Sequence, residues 1–433
     1  MGVKICVVGG GSTYTPELVE GLAIRGDRLP VDELVLLDTD RDRREIVGGL
    51  TGRMLHRLGW GGRLVLTDDA DAALDGADFV VVQLRVGGQA ARLVDETLPL
   101  RFGTIGQETT GAGGFAKALR TVPVILELAE RVARRAAPGH WIVDFTNPVG
   151  IVTQALLDDG HRAIGLCNVA IGFQRRFAGR FGVEPERVEL DHVGLNHLTW
   201  IREVRVDGVD RLPEILEEEA DRLAEDIRMP VELIRALRAI PSYYLRYYYL
   251  FETVLAEQQS EGHGTRAEEV SDIERQLLDM YRDPSLSEKP ELLASRGGAF
   301  YSEAAAQLIA SLHDGRGDVQ VVNIRNDGAL AGLPAGAVVE VPARIDRSGA
   351  RPISLAALDP HMRGLVQQAK AYEELAIAAA RTGDRSIAIR ALLANPLVGR
   401  WEIAGPLLDA LIAADAAHLP QFAGATGRAV TPS

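Results

Sequence analysis

The stretch VKICVVGGGSTYTPEL, from Val3 to Leu18, decides the fold of this chain. Residues 3–8 form an apolar run short enough for a buried parallel strand, and the glycines at 9–11 end it. Thr15 has the side chain of a helix N-cap, and Pro16 suits the first helical position. A glycine turn between a strand and a helix N-terminus is typical of proteins that bind a pyrophosphate there.

Further strands follow at the spacing of an α/β protein. We predict them at 33–37, 63–66, 79–84, 141–145 and 162–166, with a helix at about 116–137. Strands that alternate with helices favour a Rossmann-like, doubly wound parallel sheet with right-handed crossovers. This α/β pattern is similar to that of the lactate and malate dehydrogenases, in which a second α+β domain packs against the sheet.

The pattern changes after about residue 185. Residues 187–193 and 198–206 are predicted as consecutive strands, 212–282 as mainly helical, 318–346 as strands and 360–415 as helices. The sequence has no Pro/Ser-rich linker between its halves. We therefore expect two closely packed domains, 1–185 and 186–423, and a flexible tail at 424–433.

The composition is that of an ordinary globular protein. Of 433 residues, 46% are hydrophobic and 25% are charged, which excludes a disordered chain. The net charge of −14 argues against a nucleic-acid partner, and no apolar run is long enough to span a membrane. Two cysteines, Cys6 and Cys167, give no disulfide framework, and the N-terminus has no signal-peptide pattern. These features predict a cytoplasmic protein.

The glycine turn and the end of the second strand predict a dinucleotide site. Gly9, Gly11 and Ser12 lie where a pyrophosphate would bind, and Asp38 ends the next strand. A carboxylate there accepts hydrogen bonds from a ribose 2′-hydroxyl and repels a 2′-phosphate, which favours NAD over NADP. The third glycine of the usual fingerprint is missing, so a turn without a ligand stays an alternative.

Polar residues follow three of the predicted strands. Arg85, Asn147 and the pair Cys167 and Asn168 all come where an apolar run ends. Because open α/β sheets bind ligands at the carboxyl ends of their strands, these residues predict a cleft. Each one taken alone is equally compatible with a solvated strand end.

Several other residues are candidates for catalysis or ligand binding, but each of them could equally have a purely structural role. Cys167 and His197 are possible metal ligands, or a small buried hydrophobe and a core histidine. The tyrosine-rich segment 240–250 is more typical of packing, although a tyrosine beside a cation can act as a base. Arg266 would pair either with an anion or with Glu269 or Glu261. The polar loop 106–111 is of a kind that is often functional.

Taken together, the motifs resemble glycoside hydrolase family 4. The resemblance runs in order along the chain through GGGSTYTPEL (9–18), LRVGG (84–88), IGQETTGAGGF (105–115), FTNPVG (145–150), GLCNVAIGF (165–173), GLNHLTW (194–200), YYLRYY (243–248), RGGAFYSEAAA (296–306) and NIRNDGALAGLPAGAVVEVP (323–342). Asparagine after the cysteine is similar to the 6-phospho-β-glucosidases of the family, whereas the α-specific members carry aspartate there.

The resemblance implies hydrolysis of 6-phospho-β-glucosides, such as cellobiose 6-phosphate, by an NAD-assisted route that differs from two-carboxylate hydrolysis. In the family, NAD⁺ takes a hydride from C3 of the sugar, and a base then removes the C2 proton. The C1 leaving group departs, water adds to the unsaturated ketone, and the hydride returns. A divalent metal, usually Mn²⁺, polarises the C3 carbonyl.

The resemblance also assigns residues, which places NAD in the first predicted domain and substrate and metal in the second. Cys167 and His197 match the metal ligands, and Tyr244 matches the C2 base, with Tyr243 as the alternative. Asn147 and Asn168 match sugar-binding positions; Asn168 replaces the aspartate of the α-members, so the source of the leaving-group proton stays open. Arg85 and Arg266 match the positions expected to hold the 6-phosphate, with Ser12 assisting.

Two alternatives stay open on the sequence. The same mechanism would serve a 6-phospho-β-galactoside or a sugar without phosphate, and the first 165 residues also resemble 2-hydroxy-acid dehydrogenases. The partner is expected to be a small phosphorylated sugar, and the aromatic stripe with the charged helices fits a homodimer or homotetramer.

Overall fold

The computed structural model describes residues 2–297 and 300–423. In those ranges the strands are Val3–Val8 (β1), Val31–Leu37 (β2), Arg63–Thr67 (β3), Phe79–Val82 (β4), Trp141–Asp144 (β5), Ala163–Gly165 (β6), Val188–Leu195 (β7), Leu198–Val206 (β8), Val209–Asp210 (β9), Ile240–Pro241 (β10), Asp318–Arg325 (β11), Val338–Asp346 (β12) and Gly349–Pro352 (β13). The predicted tail, 424–433, lies outside the described residues.

Helices cover both sheets and form much of the segment 212–314. They are Thr15–Ala23 (α1), Arg41–Arg57 (α2), Ala70–Leu74 (α3), Gly88–Thr97 (α4), Gly111–Arg135 (α5), Val149–Asp158 (α6), Asn168–Phe181 (α7), Leu212–Glu218 (α8), Ala220–Ile227 (α9), Val231–Leu237 (α10), Arg246–Tyr249 (α11), Phe251–Gln259 (α12), Arg266–Tyr281 (α13), Leu292–Ser295 (α14), Tyr301–Asp314 (α15), Pro360–Thr382 (α16), Arg385–Ala394 (α17) and Trp401–Ala414 (α18). Within the described residues no helix is long and apolar enough to cross a membrane.

The main sheet confirms the predicted doubly wound α/β fold. Its first six strands are parallel in the order β3-β2-β1-β4-β5-β6, and the order reverses direction at β1 and β4. Ligands of open α/β sheets bind at this switch point. The inner strands β1, β4, β5 and β6 and most of β2 are buried on both faces, as the near-continuous apolar runs of the sequence predicted, whereas the edge strand β3 is partly exposed.

Strands from the second half of the chain extend the same sheet. β11 pairs antiparallel with β6, and β12 and β13 follow it to make nine strands. A second sheet of four strands contains β10, β8, β7 and β9. One apolar core contains side chains from both sheets, including Val7, Trp200 and Val341. The division into 1–185 and 186–423 stays a prediction, because the nine-stranded sheet takes strands from both segments.

The turn after β1 has the conformation that its glycines permit, but the expected N-cap is wrong. Gly9 has φ +84°, and a Cβ on Gly10 would lie 2.7 Å from Cβ of Leu36. Helix α1 already begins at Thr15 and has Tyr14 as its N-cap. The Thr15 hydroxyl instead accepts a hydrogen bond from Nε2 of Gln83 at 2.8 Å, so it joins the helix to the end of β4.

A buried ion cluster joins α5 to its neighbours. Arg120 on α5 donates from Nη2 to Asp95 on α4 at 2.5 Å and from Nη1 to Asp415, just after α18, at 3.0 Å. All three side chains are essentially inaccessible to solvent. Replacing the arginine would leave two buried carboxylates without their cation, which is far more costly than removing both partners.

We expect Arg120→Met to lower the free energy of unfolding by about 3–5 kcal/mol, the typical cost of breaking a buried ion pair. Arg131→Met is the matched control, because Arg131 lies on the same helix and its pair with Glu127 is exposed. That control should change stability by less than about 0.5 kcal/mol. Urea unfolding of both variants measures the difference, and equal losses would contradict the role given to the cluster.

Candidate functional site

A cavity of about 1460 Å³ opens at the carboxyl ends of the parallel strands. Most of the predicted site residues line it: Gly9, Ser12, Asp38, Arg85, Asn147, Asn168, Tyr244 and Arg266. Gly11, Cys167 and His197 lie behind its wall rather than on it. The cavity therefore unites the glycine turn with residues from the second half of the chain.

Asp38 holds the glycine turn in place. Its Oδ2 accepts a hydrogen bond from the backbone nitrogen of Gly11 at 2.8 Å, and its Oδ1 accepts one from the nitrogen of Asp40 at 2.9 Å. Each carboxylate oxygen has a further lone pair, so the side chain can also accept from a ribose hydroxyl. The acid predicted from the sequence thus shapes the turn as well as facing the cavity.

Two arginines beside the glycine turn were missed in the sequence. Arg43 donates from Nε to the carbonyl oxygen of Gly11 at 3.1 Å, and Arg296 donates from Nε to the Thr13 hydroxyl at 2.7 Å. Both guanidinium groups also pair with the carboxylate of Glu274 on α13. Two cations share one carboxylate, which leaves positive charge where an anionic cofactor would lie. Arg296 opens the quoted motif 296–306, but nothing in the sequence links it to residue 13.

Glu108 sits at the centre of a second buried cluster, in the loop that the sequence marked as polar. Its carboxylate pairs with Arg85, with Lys117 at 2.5 Å and with Arg92 at 3.2 Å. The three cations hold the pKa of Glu108 well below its usual range, although burial opposes this. Burial, reinforced by Arg85, lowers the pKa of Lys117 to about 7. Arg85 is thus already paired before any substrate binds.

The other predicted substrate residues differ in their contacts. The buried side-chain oxygen of Asn147 has no hydrogen-bond partner in the structure, and the Asn147–Pro148 peptide bond is cis. Asn168 is the first residue of α7 and faces the same cavity. Arg266, at the start of α13, pairs with Glu269 at 2.6 Å and donates to the Ser295 carbonyl at 2.8 Å. Its guanidinium is partly exposed, so an anion can compete for it.

Cys167, His197 and Tyr244 are brought together by tertiary structure. The Tyr244 and His197 rings stack with centroids 3.6 Å apart and planes within 9°. Nδ1 of His197 lies 2.9 Å from the Thr109 hydroxyl, which fixes the imidazole. The Cys167 thiol lies near enough to Tyr244 and Tyr301 to raise the pKa of both phenols. Tyr243, the alternative base, is instead bonded to Arg246 at 3.3 Å.

Burial sets the ionisation of this group. It raises the pKa of the Cys167 thiol well above its usual value, with Glu340 adding to the effect, and it lowers the pKa of His197 to about 4. Burial also raises the pKa of Tyr244 well above 10. The imidazole is therefore neutral, as a metal requires, whereas the thiol and the phenol need a nearby cation to lose their protons.

The donor set fits a divalent metal that is open to substrate. A thiol and a neutral imidazole are metal ligands of the types that such ions take from proteins. In the described part of the chain no group of three or more His, Cys, Asp or Glu side chains is arranged to hold a metal ion, so Cys167 and His197 would be two protein ligands without a third of these types. Two protein ligands leave coordination positions for water and substrate, which suits catalysis rather than a structural role.

Two protein-family models cover nearly all of the described chain. Residues 4–182 match "Family 4 glycosyl hydrolase", and residues 192–398 match "Family 4 glycosyl hydrolase C-terminal domain". A Bacillus subtilis protein named "Probable 6-phospho-beta-glucosidase" is 43% identical over 97% of this chain and 98% of its own.

Solved structures extend the comparison. The 6-phospho-beta glucosidase of Thermotoga maritima, solved with manganese, NAD⁺ and glucose-6-phosphate, has a TM-score of 0.90 and 35% identity. The alignment covers 96% of this chain and 99% of that one. Malate dehydrogenase from Plasmodium falciparum has a TM-score of 0.54 at 14% identity, over 88% of this chain and 98% of that one. This last likeness confirms the dehydrogenase-like fold and carries no information on activity.

We expect Glu108→Gln to lower the free energy of unfolding by about 3–5 kcal/mol, because three buried or half-buried cations would lose their shared carboxylate. Glu45→Gln is the control, since its pair with Arg41 is fully exposed, and it should have little effect. Chemical unfolding at neutral pH measures both changes. An unchanged stability of Glu108→Gln would contradict the charge arrangement given above.

Proposed function

Because this chain belongs to family 4 of the glycosyl hydrolases over nearly its whole length, we propose that it hydrolyses 6-phospho-β-glucosides with bound NAD and a divalent metal. The observation that carries the proposal is the stack of Tyr244 on His197 beside the Cys167 thiol, at the wall of a cavity that begins at the glycine turn. The proposed base, the two proposed metal ligands and the proposed dinucleotide site therefore all lie at one cavity.

The cofactor and the metal have residues suited to them. Gly9, Gly11, Ser12 and Asp38 would hold NAD at the glycine turn, and Cys167 and His197 would hold Mn²⁺ or a similar ion. When bound, NAD supplies reversible hydride acceptance at C3 of the sugar, and the metal supplies polarisation of the C3 oxygen. The relative solved with manganese, NAD⁺ and glucose-6-phosphate supports the choice of NAD and a divalent metal.

Tyr244 is the residue that we assign as the C2 base. As a phenolate, its oxygen would take the C2 proton while the C1–oxygen bond breaks. The hydroxyl of a water molecule would then add at C1, the proton would return from Tyr244 to C2, and the other proton of the water would neutralise the released leaving group. The raised pKa of Tyr244 favours its neutral form, and a cation at Cys167 and His197 would lower that pKa. The contacts support Tyr244 over Tyr243, because only the Tyr244 ring lies against the imidazole.

Four further residues would bind the substrate. The unpartnered oxygen of Asn147 and the amide of Asn168 are suited to sugar hydroxyls. Arg85 and Arg266, with Ser12 assisting, would bind the 6-phosphate. The cations around Glu108 exceed its single charge, so Arg85 can take a phosphate without leaving that carboxylate unpaired. Asn168 also supports the β-anomer, since an amide cannot protonate the leaving group as a carboxylic acid does.

Two other substrates are alternatives to this proposal: a 6-phospho-β-galactoside and an unphosphorylated glycoside, with the same mechanism. The dehydrogenase alternative loses its support, because the likeness to malate dehydrogenase is confined to the fold.

The first test of the proposed function is the hydrolysis of p-nitrophenyl β-glucoside 6-phosphate. We expect turnover that needs NAD⁺, Mn²⁺ and a reductant, since the thiol must stay reduced to bind the metal. NADH should not accumulate, because the hydride returns to the sugar in every cycle. The same measurement on the unphosphorylated glucoside and on the 6-phosphogalactoside separates the alternatives. Equal turnover without the phosphate would exclude Arg85 and Arg266 as phosphate ligands.

A second test separates the two tyrosines. We expect Tyr244→Phe to lower kcat by a factor of about 10²–10⁴, the usual contribution of a general base, with a smaller change in KM. Tyr243→Phe is the matched control and should keep most of the activity, because its hydroxyl contacts Arg246 instead of the metal ligands. Steady-state kinetics of both variants decides the assignment, and the reverse order of effects would move the base to Tyr243.

A further inference from the structure

A buried carboxylate lies behind the Cys167–His197 pair, in the middle of β12. Glu340 has only 1% of its surface exposed. Its Oε1 is 2.9 Å from Nε2 of His192, and its Oε2 accepts hydrogen bonds from Asn196 at 2.8 Å and Asn323 at 3.0 Å. Both oxygens are thus held by side chains from other strands or turns. Such a fully bonded buried carboxylate is costly to place in a core and needs a reason.

Two of these partners, Asn196 and Asn323, lie next to the segments that contain the proposed metal ligands. Asn196 precedes His197 in the turn between β7 and β8. Asn323 lies on β11 opposite Gly165, two residues before Cys167. One carboxylate is therefore linked to both ligand segments, which are 30 residues apart in the sequence.

The turn that carries His197 needs such support. His197 has φ +62°, in the left-handed region that favours glycine. A non-glycine residue is held there only where its surroundings impose the conformation, at a cost of about 1–3 kcal/mol. The bond from Asn196 to Glu340 and the contact of Nδ1 with Thr109 fix this turn from two sides.

The charge of Glu340 also suits a cation site. Its carboxylate is bonded to Asn196, the residue directly before His197, so a full negative charge lies close behind this ligand segment. A divalent cation between these two ligands would be attracted by the same negative charge, which water cannot screen at this depth.

We propose that Glu340 is a positioning residue for the metal site, which holds Cys167 and His197 at the spacing that a divalent cation requires through Asn196 and Asn323. This inference rests on the proposed function, because it takes Cys167 and His197 as the metal ligands. Glu340 itself is no ligand in this scheme: its two oxygens are already bonded to three side chains. Partners of metal ligands commonly contribute 10- to 100-fold to metal affinity.

The test is Mn²⁺ binding by calorimetry to the full-length protein, with reductant present and without substrate. In Glu340→Gln the negative charge is lost and one acceptor oxygen becomes an NH₂ donor, so the side chain no longer accepts from all three partners at constant size. We expect a Kd about 10- to 100-fold higher than that of the unmodified protein. The control is Asp415→Asn, another buried carboxylate, which pairs with Arg120 and contacts neither ligand segment. Its Kd should stay within about threefold. A Kd of Glu340→Gln within that same range would overturn the inference.

A second variant covers the case in which Glu340→Gln fails to fold, as thermal unfolding would reveal. Asn196→Ala leaves Glu340 with its other two partners and removes only the link to the turn that carries His197. We expect a Kd at least about tenfold higher, in line with the loss of one such partner. Unchanged affinity in a folded Asn196→Ala protein would overturn the inference on its own.

Cys167→Ser separates this inference from the proposed function. If the unmodified protein binds Mn²⁺ and Cys167→Ser loses that binding, the ligands are correct and the variants above decide the role of Glu340. If Cys167→Ser binds as tightly as the unmodified protein, the assignment of the metal site fails, and the inference about Glu340 fails with it.

Discussion

The pairing of β11 with β6 is the constraint on which the rest of the molecule depends. Asn323 of β11 lies opposite Gly165 of β6, and this contact attaches three antiparallel strands to the six parallel ones. Glycine is required at this point, because a Cβ on Gly165 would lie 2.2 Å from the Thr153 hydroxyl oxygen and 3.0 Å from Cβ of Asn323. Through this close approach β12 comes to lie behind the end of β6, where Cys167 follows.

Buried charge is arranged in separate groups around the cavity. Glu108 is shared by three cations on one side, Glu274 by two arginines beside the glycine turn, and Glu340 by a histidine and two amides behind the thiol. Each carboxylate has its hydrogen-bonding capacity met, as burial requires. The two groups that face the cavity carry an excess of cations, which suits a cavity for a dinucleotide and a phosphorylated sugar.

Desolvation makes the chemistry proposed for this site depend on a nearby cation. Burial keeps the thiol, the imidazole and the tyrosine in their neutral forms. Neutral imidazole is ready to bind a metal, but the thiol and the phenol are poor as ligand and base until a cation is near. In the proposed function the reactivity of Tyr244 therefore depends on a cation held by Cys167 and His197.

The sequence by itself determined the parallel sheet and the glycine turn, and most of the site residues that it predicted do line the cavity. These depend on short runs of apolar residues, on turn chemistry and on strand ends, and each signal spans only a few neighbouring positions. The family motifs supplied the roles of Cys167, His197 and Tyr244, which spacing alone left ambiguous. Even so, the helix expected to start after Thr15 begins at it, because the threonine hydroxyl bonds to Gln83 across the sheet.

Only the tertiary structure decided which charged side chains face one another. His192 and Glu340 are 148 residues apart, and Thr13 and Arg296 are 283 apart, so no local pattern links them. The same holds for the pairing of Arg85 with Glu108 and for the extension of the first sheet by β11 to β13. A buried charged side chain pairs with the oppositely charged or polar group that packing places next to it, because an unpaired charge in the core costs several kcal/mol of folding free energy. The pairing of these side chains therefore depends on the fold of the whole chain and cannot be predicted from any one segment.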